Sequence, residues 1–437
     1  MKLLFVADGR SPIALNWIRY FVERGDEVHL VSTFPCQPGL ALASLHVIPT
    51  TLAAAAGDAK HSQRSRILRA LVPLRLRTAL RHLLEPGALP RAGRRLRTLI
   101  DSLQPDLVHA MRIPYEGMMA ASALPISPSN PARAKGKSHS PAVSPAPSLS
   151  SNLAMRSSPK HLPGSAMRSQ TAQPPLLVSV WGNDFTLHAP STPSMGFYTR
   201  LTLQNLDALH TDCHRDLALA EQWGFDPQKP HIVLPGAGGV QPQIFYPPPN
   251  VTQTPPAFTV INPRGFRTYV NNHTFFQAIP RVLEKHPNTR FLCPAMAGET
   301  LAHHWVRRLH IADNVTLLPT VSREEMADLF RGSQIAVSPS THDGTPNTLL
   351  EALACGCFPI AGDIESVREW ITHGKNGLLF DPDDPHALSE AILRAIEDEK
   401  LRAQALKINR ELVNEKAHYA RVMEKAKNFY AQILSLR

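Results

Sequence analysis

The chain has 437 residues, of which 43% are hydrophobic and 19% are charged, so it is long enough for two or three folded domains. No apolar run reaches the roughly 20 residues that cross a bilayer as a helix. Five cysteines without paired spacing argue against a disulfide scaffold and predict reduced thiols in the cytoplasm. The net charge of +10 indicates an anionic partner, such as a nucleotide or an acidic membrane surface.

The first 32 residues predict a strand, a helix and a second strand. Leu3–Ala7 is an apolar run, Ile13–Arg24 has helical periodicity and stops before Gly25, and Val28–Ser32 is the next strand. Because a strand–helix–strand crossover is right-handed and joins parallel strands, these residues predict a parallel sheet.

An arginine-rich stretch at residues 64–97 contains ten arginines and one acidic residue, Glu85, with leucines between them. Two interpretations remain open. The arginines form the solvated face of a helix whose leucines are buried, or the segment lies on an anionic membrane or receives a phosphorylated acceptor. Nucleic-acid binding is disfavoured, because no aromatic residues are interleaved with the arginines.

A second unusual stretch at about residues 126–175 is rich in serine, proline and alanine. Such a composition buries too little apolar surface to offset the entropy lost on ordering. The sequence therefore predicts a disordered insertion there, without a role in chemistry.

Alternating strands and helices occupy the rest of the chain, with a proline-rich connector at residues 246–256. The predicted strands are Asp106–Ala110, Leu176–Val180, Asp207–Leu209, Ile232–Leu234, Thr259–Ile261, Arg290–Leu292, Val315–Leu318, Ile335–Ser338 and Phe358–Ala361, and the predicted helices are Asn272–Glu284, Arg323–Arg331 and Pro385–Glu397. Two α/β halves joined by a linker indicate a cleft between domains. In such sheets ligands bind at the carboxyl ends of the strands.

The stretch SPSTHDGTPNTLLEALACG, residues 338–356, predicts a helix that begins after a loop with an acidic residue. Thr348 and Glu351 have the spacing of a capping box, and the helix ends near Gly356. The N-terminus of a helix offers unpaired N–H groups and a positive dipole end, which suit a phosphate. Asp343 and Glu351 then face the same anion-binding end; the alternative is that each only caps its own segment.

The order of these motifs resembles that of the family 4 glycosyltransferases, which have the GT-B fold. The resemblance rests on DGTPNTLLEALACGCFPIAG and SVREWITHGKNGLLFDPDDPHALSEAI in the C-terminal half, and on QPDLVHA, SVWGNDF and VLPGAGGVQPQIFYP in the N-terminal half. It implies two Rossmann-like domains that face each other across a cleft, with the insertion in the first. The implied division is an acceptor domain at 1–245, a linker at 246–256, a nucleotide-sugar donor domain at 257–413, and a helix at 414–437 that crosses back to the first domain.

The resemblance implies transfer of a sugar from a nucleotide-sugar donor, with retention of anomeric configuration, to a lipid-linked, cell-envelope or polysaccharide acceptor. Asp343 would hold the donor sugar, Arg264 would neutralise the diphosphate, and Glu351 would accept hydrogen bonds from the ribose. The implied donor loop also includes Gly344, Thr345, Pro346, Asn347, Thr348 and Leu349. No metal or other cofactor is expected, because the helix dipole and a guanidinium stabilise the developing charge.

Weaker candidates lie in the N-terminal half. Gly9 and Arg10 follow the first strand and are candidates for approaching the donor, although Gly9 has an equally simple role as a turn residue. His109 and Asp184 are acceptor-side candidates, with a buried histidine and an Asx turn as the alternatives.

Four departures from the family pattern bear on activity. Asp343 stands where the family usually has glutamate, and Trp181 stands where histidine is common. The lysine expected five residues after Arg264 is Tyr269, so that Arg267 is the candidate to replace it, although lysine and arginine differ in geometry. A second histidine expected two residues after His109 is Met111.

These departures keep open a catalytically degenerate protein that binds nucleotide-sugars or serves as a scaffold. A nucleotide-sugar epimerase is disfavoured by the Asp343 block. A dinucleotide oxidoreductase is disfavoured because no G-x-G-x-x-G motif follows the first strand. The preferred location is the cytoplasm, with peripheral contact at the inner face of the membrane through residues 64–97.

Overall fold

The computed structural model describes residues 1–50, 81–124, 173–248, 257–267 and 269–436. The predicted disordered insertion lies outside these ranges, apart from its last three residues. So do residues 64–80 of the arginine-rich stretch and residues 249–256 of the predicted linker.

The N-terminal domain is built on a seven-stranded parallel sheet with the order β3-β2-β1-β4-β5-β6-β7. Its strands are β1 (Lys2–Ala7), β2 (Glu27–Ser32), β3 (Ser44–Val47), β4 (Leu107–Ala110), β5 (Leu176–Val180), β6 (Ala208–Thr211) and β7 (His231–Val233). Its α-helices are α1 (Pro12–Glu23), α2 (Leu89–Leu103), α3 (Met118–Ala123), α4 (Pro193–Asn205) and α5 (His214–Gln222). The inner strands are apolar on both faces because helices cover both sides of the sheet.

The C-terminal domain has a six-stranded parallel sheet with the order β10-β9-β8-β11-β12-β13. Its strands are β8 (Thr259–Ile261), β9 (Arg290–Cys293), β10 (Val315–Leu317), β11 (Ile335–Ser338), β12 (Phe358–Gly362) and β13 (Leu378–Phe380). Its helices are α6 (Asn272–Lys285), α7 (Thr300–Arg308), α8 (Arg323–Arg331), α9 (Asn347–Ala354), α10 (Glu365–Arg368), α11 (Pro385–Glu397) and α12 (Glu399–Leu412).

The last helix, α13 (Tyr419–Ser435), packs against the N-terminal domain. Tyr430 is fully buried there, accepts a hydrogen bond from the Trp17 indole at 3.0 Å and stacks on Phe21 with ring centroids 4.7 Å apart. The chain thus leaves the second domain and completes the apolar core of the first.

In the described part of the arginine-rich stretch, helix α2 has an apolar face that packs inside the domain. Leu89, Leu96 and Ile100 of α2 are buried against α3, while Arg94 and Arg95 are exposed. For these residues the structure corresponds to the solvated-face interpretation. Within the described residues no helix is long and apolar enough to span a bilayer.

Candidate functional site

A cleft of 570 Å³ opens between the two domains at the carboxyl ends of their strands. The N-terminal domain contributes Ser11, Pro12, Ile13, Arg112, Trp181, Gly182, Asn183, Asp212, Gly236 and Phe245. The C-terminal domain contributes Pro263, Arg264, Arg267, Tyr269, Val321, Ser322, Arg323, Met326, Asp343, Thr345, Asn347, Thr348 and Glu351. Asp343 and Glu351, the two acidic residues of the 338–356 stretch, therefore both line this cavity.

The Arg264 side chain contacts both the loop before α9 and the first turn of that helix. Its guanidinium forms an ion pair with Asp343 and donates a hydrogen bond to the Thr348 hydroxyl at 3.0 Å. Burial raises the pKa of Asp343, while the Arg264 charge opposes this shift. The helix N-terminus and this arginine form a positively polarised surface that suits a diphosphate.

The predicted capping box is wrong. Pro346 is the N-cap of α9, and it has no side-chain oxygen to accept from the helix. Thr348 instead bonds Arg264, and Glu351 lines the cleft 3.7 Å from Arg323 of α8. Glu351 is 17% exposed, and burial raises its pKa to about 7, although the charge of Arg323 acts to lower it.

The two domains are in close contact at one end of the cleft. A Cβ placed on Gly182 would overlap the main chain of Asp343 and Gly344, and one on Gly344 would overlap the Asp212 carboxylate. The Thr345 hydroxyl donates to the Asp212 carbonyl oxygen from the opposite domain. Glycine fits these positions because the opposite main chain leaves no space at Gly182 and the Asp212 carboxylate occupies the space at Gly344.

Asp212, Arg215 and Asp216 are cleft-side residues that the sequence did not single out. Arg215 pairs with Asp216 at 2.6 Å and donates to the Gly182 carbonyl at 2.6 Å. One carboxylate oxygen of Asp212 and one of Asp216 are buried without a hydrogen-bond partner. Burial, with the neighbouring Asp216 charge, raises the pKa of Asp212.

Asp212, Cys213 and Asp216 are also the described residues whose donor atoms are close enough to hold a metal ion, all within 4.8 Å. Their chemistry does not favour one. Metal ligands must be deprotonated, whereas burial raises the pKa of both Asp212 and Cys213. Asp216 already has Arg215 as its cation.

The remaining candidates on the donor side divide into two groups. Arg267 and Asn347 line the cleft together with Thr345, whereas Leu349 is buried in the core of its domain. Tyr269, which stands where the family pattern has lysine, also lines the cleft.

The loop after β1 approaches the cleft through residues other than those predicted. Ser11 and Ile13 line it, and Gly9 and Arg10 do not. Gly9 donates to the Ser32 hydroxyl at 3.0 Å, and Arg10 pairs with Asp8 at 2.9 Å and lies over the Phe34 ring.

The two acceptor-side candidates are also inside the N-terminal domain. His109 is buried, 2.5 Å from the Tyr430 hydroxyl and 2.8 Å from the Ser179 hydroxyl, so it is a core histidine. Asp184 is buried and forms an ion pair with Arg112 at 2.7 Å. Residues close to them in the chain line the cleft instead: Arg112 near His109, and Asn183 next to Asp184.

Residues 253–412 match the family model of the group 1 glycosyl transferases. A curated relative, the D-inositol 3-phosphate glycosyltransferase of Thermobispora bispora, is 30% identical over 103 residues. That alignment covers 24% of this chain and 24% of the relative, so the match spans about a quarter of each protein.

Two solved structures are similar over the whole chain. Sucrose-phosphate synthase from Thermosynechococcus elongatus has a TM-score of 0.69 at 14% identity, covering 100% of both chains. Anabaena HepE, solved in complex with UDP-glucose, has a TM-score of 0.67 at 13% identity, also covering 100% of both. At these identities the likeness establishes the fold, and the predicted GT-B arrangement is confirmed.

Proposed function

We propose that this chain, which carries a group 1 glycosyl transferase domain at residues 253–412, transfers a sugar from a nucleotide-sugar donor to an acceptor bound in the interdomain cleft. The observation that carries the proposal is the arrangement of Arg264, Asp343 and Glu351 around the N-terminus of α9. This arrangement offers a cation and free N–H groups to a diphosphate, and carboxylates to hydroxyl groups.

Each cleft residue then has a role that its surroundings support. Arg264, Arg267 and the first turn of α9 bind the diphosphate and stabilise the charge that develops as the sugar leaves. Glu351 accepts hydrogen bonds from the ribose hydroxyls. Asp343, held by Arg264, binds hydroxyls of the donor sugar and limits its orientation.

We further propose retention of anomeric configuration, as in the family 4 enzymes that the motifs resemble, and operation without a metal ion. Support for the second point is that the positive charge at the proposed diphosphate site comes from Arg264, with Arg267 nearby in the same cleft. The acceptor is proposed to be a lipid-linked, cell-envelope or polysaccharide molecule that enters from the N-terminal domain.

The exposed arginines of α2 support a further proposal of peripheral contact with an anionic membrane from the cytoplasmic side. Arg91, Arg94 and Arg95 are exposed on one domain surface, and the nearby Leu83 and Leu84 are 65% and 50% exposed. Positive side chains beside exposed leucines favour an acidic lipid surface.

The first experiment is thermal stabilisation by UDP, GDP, ADP and dTDP in wild type, Glu351→Ala and the control Glu324→Ala. Glu324 lies on the exposed side of α8, outside the cleft. Loss of hydrogen bonds to the Glu351 carboxylate should weaken binding of the preferred nucleotide about tenfold to a hundredfold. The control variant should keep the wild-type shift.

The same panel decides between this proposal and its alternative. A shift with one nucleotide that Glu351→Ala removes, followed by sugar transfer in the wild type, supports an enzyme. Nucleotide binding without transfer or donor hydrolysis would favour a degenerate, nucleotide-sugar-binding protein. The absence of any shift would argue against the donor site itself.

A further inference from the structure

One cation lines the cleft from the N-terminal domain among the residues described there, namely Arg112. It follows β4 by two residues in an extended conformation, with φ −169° and ψ 153°. Since β4 is a central strand of the parallel sheet, this position lies at the carboxyl edge where ligands bind in such folds.

The Arg112 guanidinium is held in place from behind. Its Nε donates to Asp184 at 2.7 Å, and its Nη2 donates to the Asn183 side-chain oxygen at 2.8 Å. Asp184 is itself fully buried and accepts main-chain N–H groups of Trp181 and Ile113 at 3.2 and 3.3 Å. The arginine therefore keeps one orientation before any ligand arrives.

The same contacts leave part of the guanidinium available. Nη1 makes no hydrogen bond with any residue that the structure describes, whereas the other two nitrogens are both used. The Arg112 side chain is 29% exposed, in contrast to the buried Asp184, and it lies 6.0 Å from the Trp181 ring.

The acidic groups whose charges act on Arg112 are already engaged: Asp184 accepts from its Nε, and the buried Glu116 accepts a hydrogen bond from the Thr33 hydroxyl. Across the cleft the C-terminal wall presents Arg267 and Tyr269, and the Asp343 carboxylate is paired with Arg264. On its own wall, Asp212 shares a buried environment with Asp216, where burial raises the Asp212 pKa and favours the neutral form. Nη1 of Arg112 thus lines the cleft without an anionic partner among the described residues.

We propose that Arg112 binds an anionic group, a carboxylate or a phosphate, on the acceptor. This inference rests on the proposed function, which assigns the donor diphosphate to the C-terminal wall and the acceptor to the N-terminal wall. A preorganised guanidinium with a free N–H edge is suited to both anions, since both accept charge-assisted hydrogen bonds from arginine.

The test uses a charge-neutral pair of substitutions, Arg112→Gln with Asp184→Asn, so that no unpaired buried carboxylate remains. The control is Arg307→Gln, an exposed arginine on α7 of the C-terminal domain. Folding of each variant is checked by its thermal transition. Binding of glucose 1-phosphate and of methyl glucoside is then measured by titration calorimetry. The nucleoside diphosphate that stabilises the wild type in the panel is present at saturation, so that it occupies the donor diphosphate site.

Wild type and the control should bind glucose 1-phosphate, and the double variant should bind it about tenfold more weakly, as expected for the loss of a hydrogen bond to a charged group. Methyl glucoside should show no difference between the three proteins. Equal affinity of wild type and the folded double variant for glucose 1-phosphate would overturn the proposal. If the double variant does not fold, Arg112→Lys replaces it and should still weaken binding through the loss of the planar fork.

Two further measurements show whether the anion belongs to the acceptor or to the donor sugar, and whether the Arg112 proposal can be tested apart from the proposed function. The first compares the binding of UDP-glucuronate and of UDP-glucose to wild type and to the double variant. If only UDP-glucuronate binding depended on Arg112, the anion would belong to the donor sugar and the acceptor assignment would be overturned. Failure of all four nucleoside diphosphates to bind would contradict the proposed function. Glucose 1-phosphate titrated without a nucleotide would then still show whether Arg112 binds an anion.

Discussion

Glu369 of the C-terminal domain accepts hydrogen bonds from the main-chain N–H groups of His214 and Arg215 in the N-terminal domain, both at 2.9 Å. These are the first two residues of α5, whose own N-cap, Cys213, makes no side-chain capping bond. The carboxylate thus satisfies the unpaired donors of a helix that belongs to the other domain.

Replacement of Glu369 by alanine should therefore affect both a helix end and the domain arrangement. We expect the free energy of unfolding to fall by about 1 kcal/mol, the usual cost of losing a helix cap. We also expect a larger radius of gyration by small-angle scattering, because a contact between the domains is lost. Glu365→Ala, on the exposed side of the adjacent α10, should change neither quantity. An unchanged radius in Glu369→Ala would mean that other contacts suffice to hold the domains.

Gly182 should not tolerate alanine, because the new Cβ would overlap the main chain of Asp343 and Gly344 across the cleft. Relief requires the domains to move apart or the loops to distort, at a cost of about 1–3 kcal/mol. Urea denaturation measures this loss. Gly87→Ala is the matched control, since nothing lies within 4 Å of a Cβ at that position. Equal destabilisation of the two variants would contradict the close approach at Gly182.

Nucleotide affinity should depend on pH through Glu351. Burial raises the pKa of this carboxyl group to about 7, and the ionised form is the better acceptor for ribose hydroxyls. Affinity should therefore increase as the pH rises from 6 to 8.

The contribution of Glu351 to folding stability changes with pH in the opposite direction to nucleotide affinity. A pKa raised above that of the unfolded chain means that this group contributes most stability below pH 4.5, and that the contribution is lost as the pH approaches 7. Titration calorimetry at several pH values checks the binding trend. In Glu351→Gln the trend should disappear, and its persistence there would assign the titration to another group.

Anionic vesicles should retain the protein at low salt and release it at high salt, because exposed charges are screened beyond about 10 Å at 0.1 M salt. Replacement of Arg91, Arg94 and Arg95 by glutamine should weaken this retention. Sedimentation with phosphatidylserine vesicles measures the bound fraction.

A second triple variant of equal net charge tests whether the position of these arginines matters. It replaces Arg307, Arg308 and Arg410, three exposed arginines of the C-terminal domain. We expect it to sediment like wild type. Equal partitioning of the wild type onto neutral vesicles would refute electrostatic attachment.

The sequence by itself determined the α/β alternation, and it predicted that Asp343 and Glu351 belong to one candidate site. Three elements have the predicted bounds: Ile335–Ser338, Arg323–Arg331 and Pro385–Glu397. Apolar periodicity and prolines can specify such bounds because they affect the backbone only within a few residues. Two strands without such signals, β3 and β13, were not predicted. Asp343 and Glu351 reach one cavity because a single loop and helix connect them.

Only the tertiary structure decided which atoms each side chain contacts. The spacing of Thr348 and Glu351 predicted a capping box, yet Arg264 and Arg323 are their partners, and both come from distant parts of the chain. His109 is a core residue because α13, more than 300 positions later, places Tyr430 beside it. No sequence motif pointed to Arg112. Its proposed role follows from the fold, which places the buried Asp184 carboxylate on one side of the arginine and the cleft on the other. No local sequence pattern encodes that arrangement.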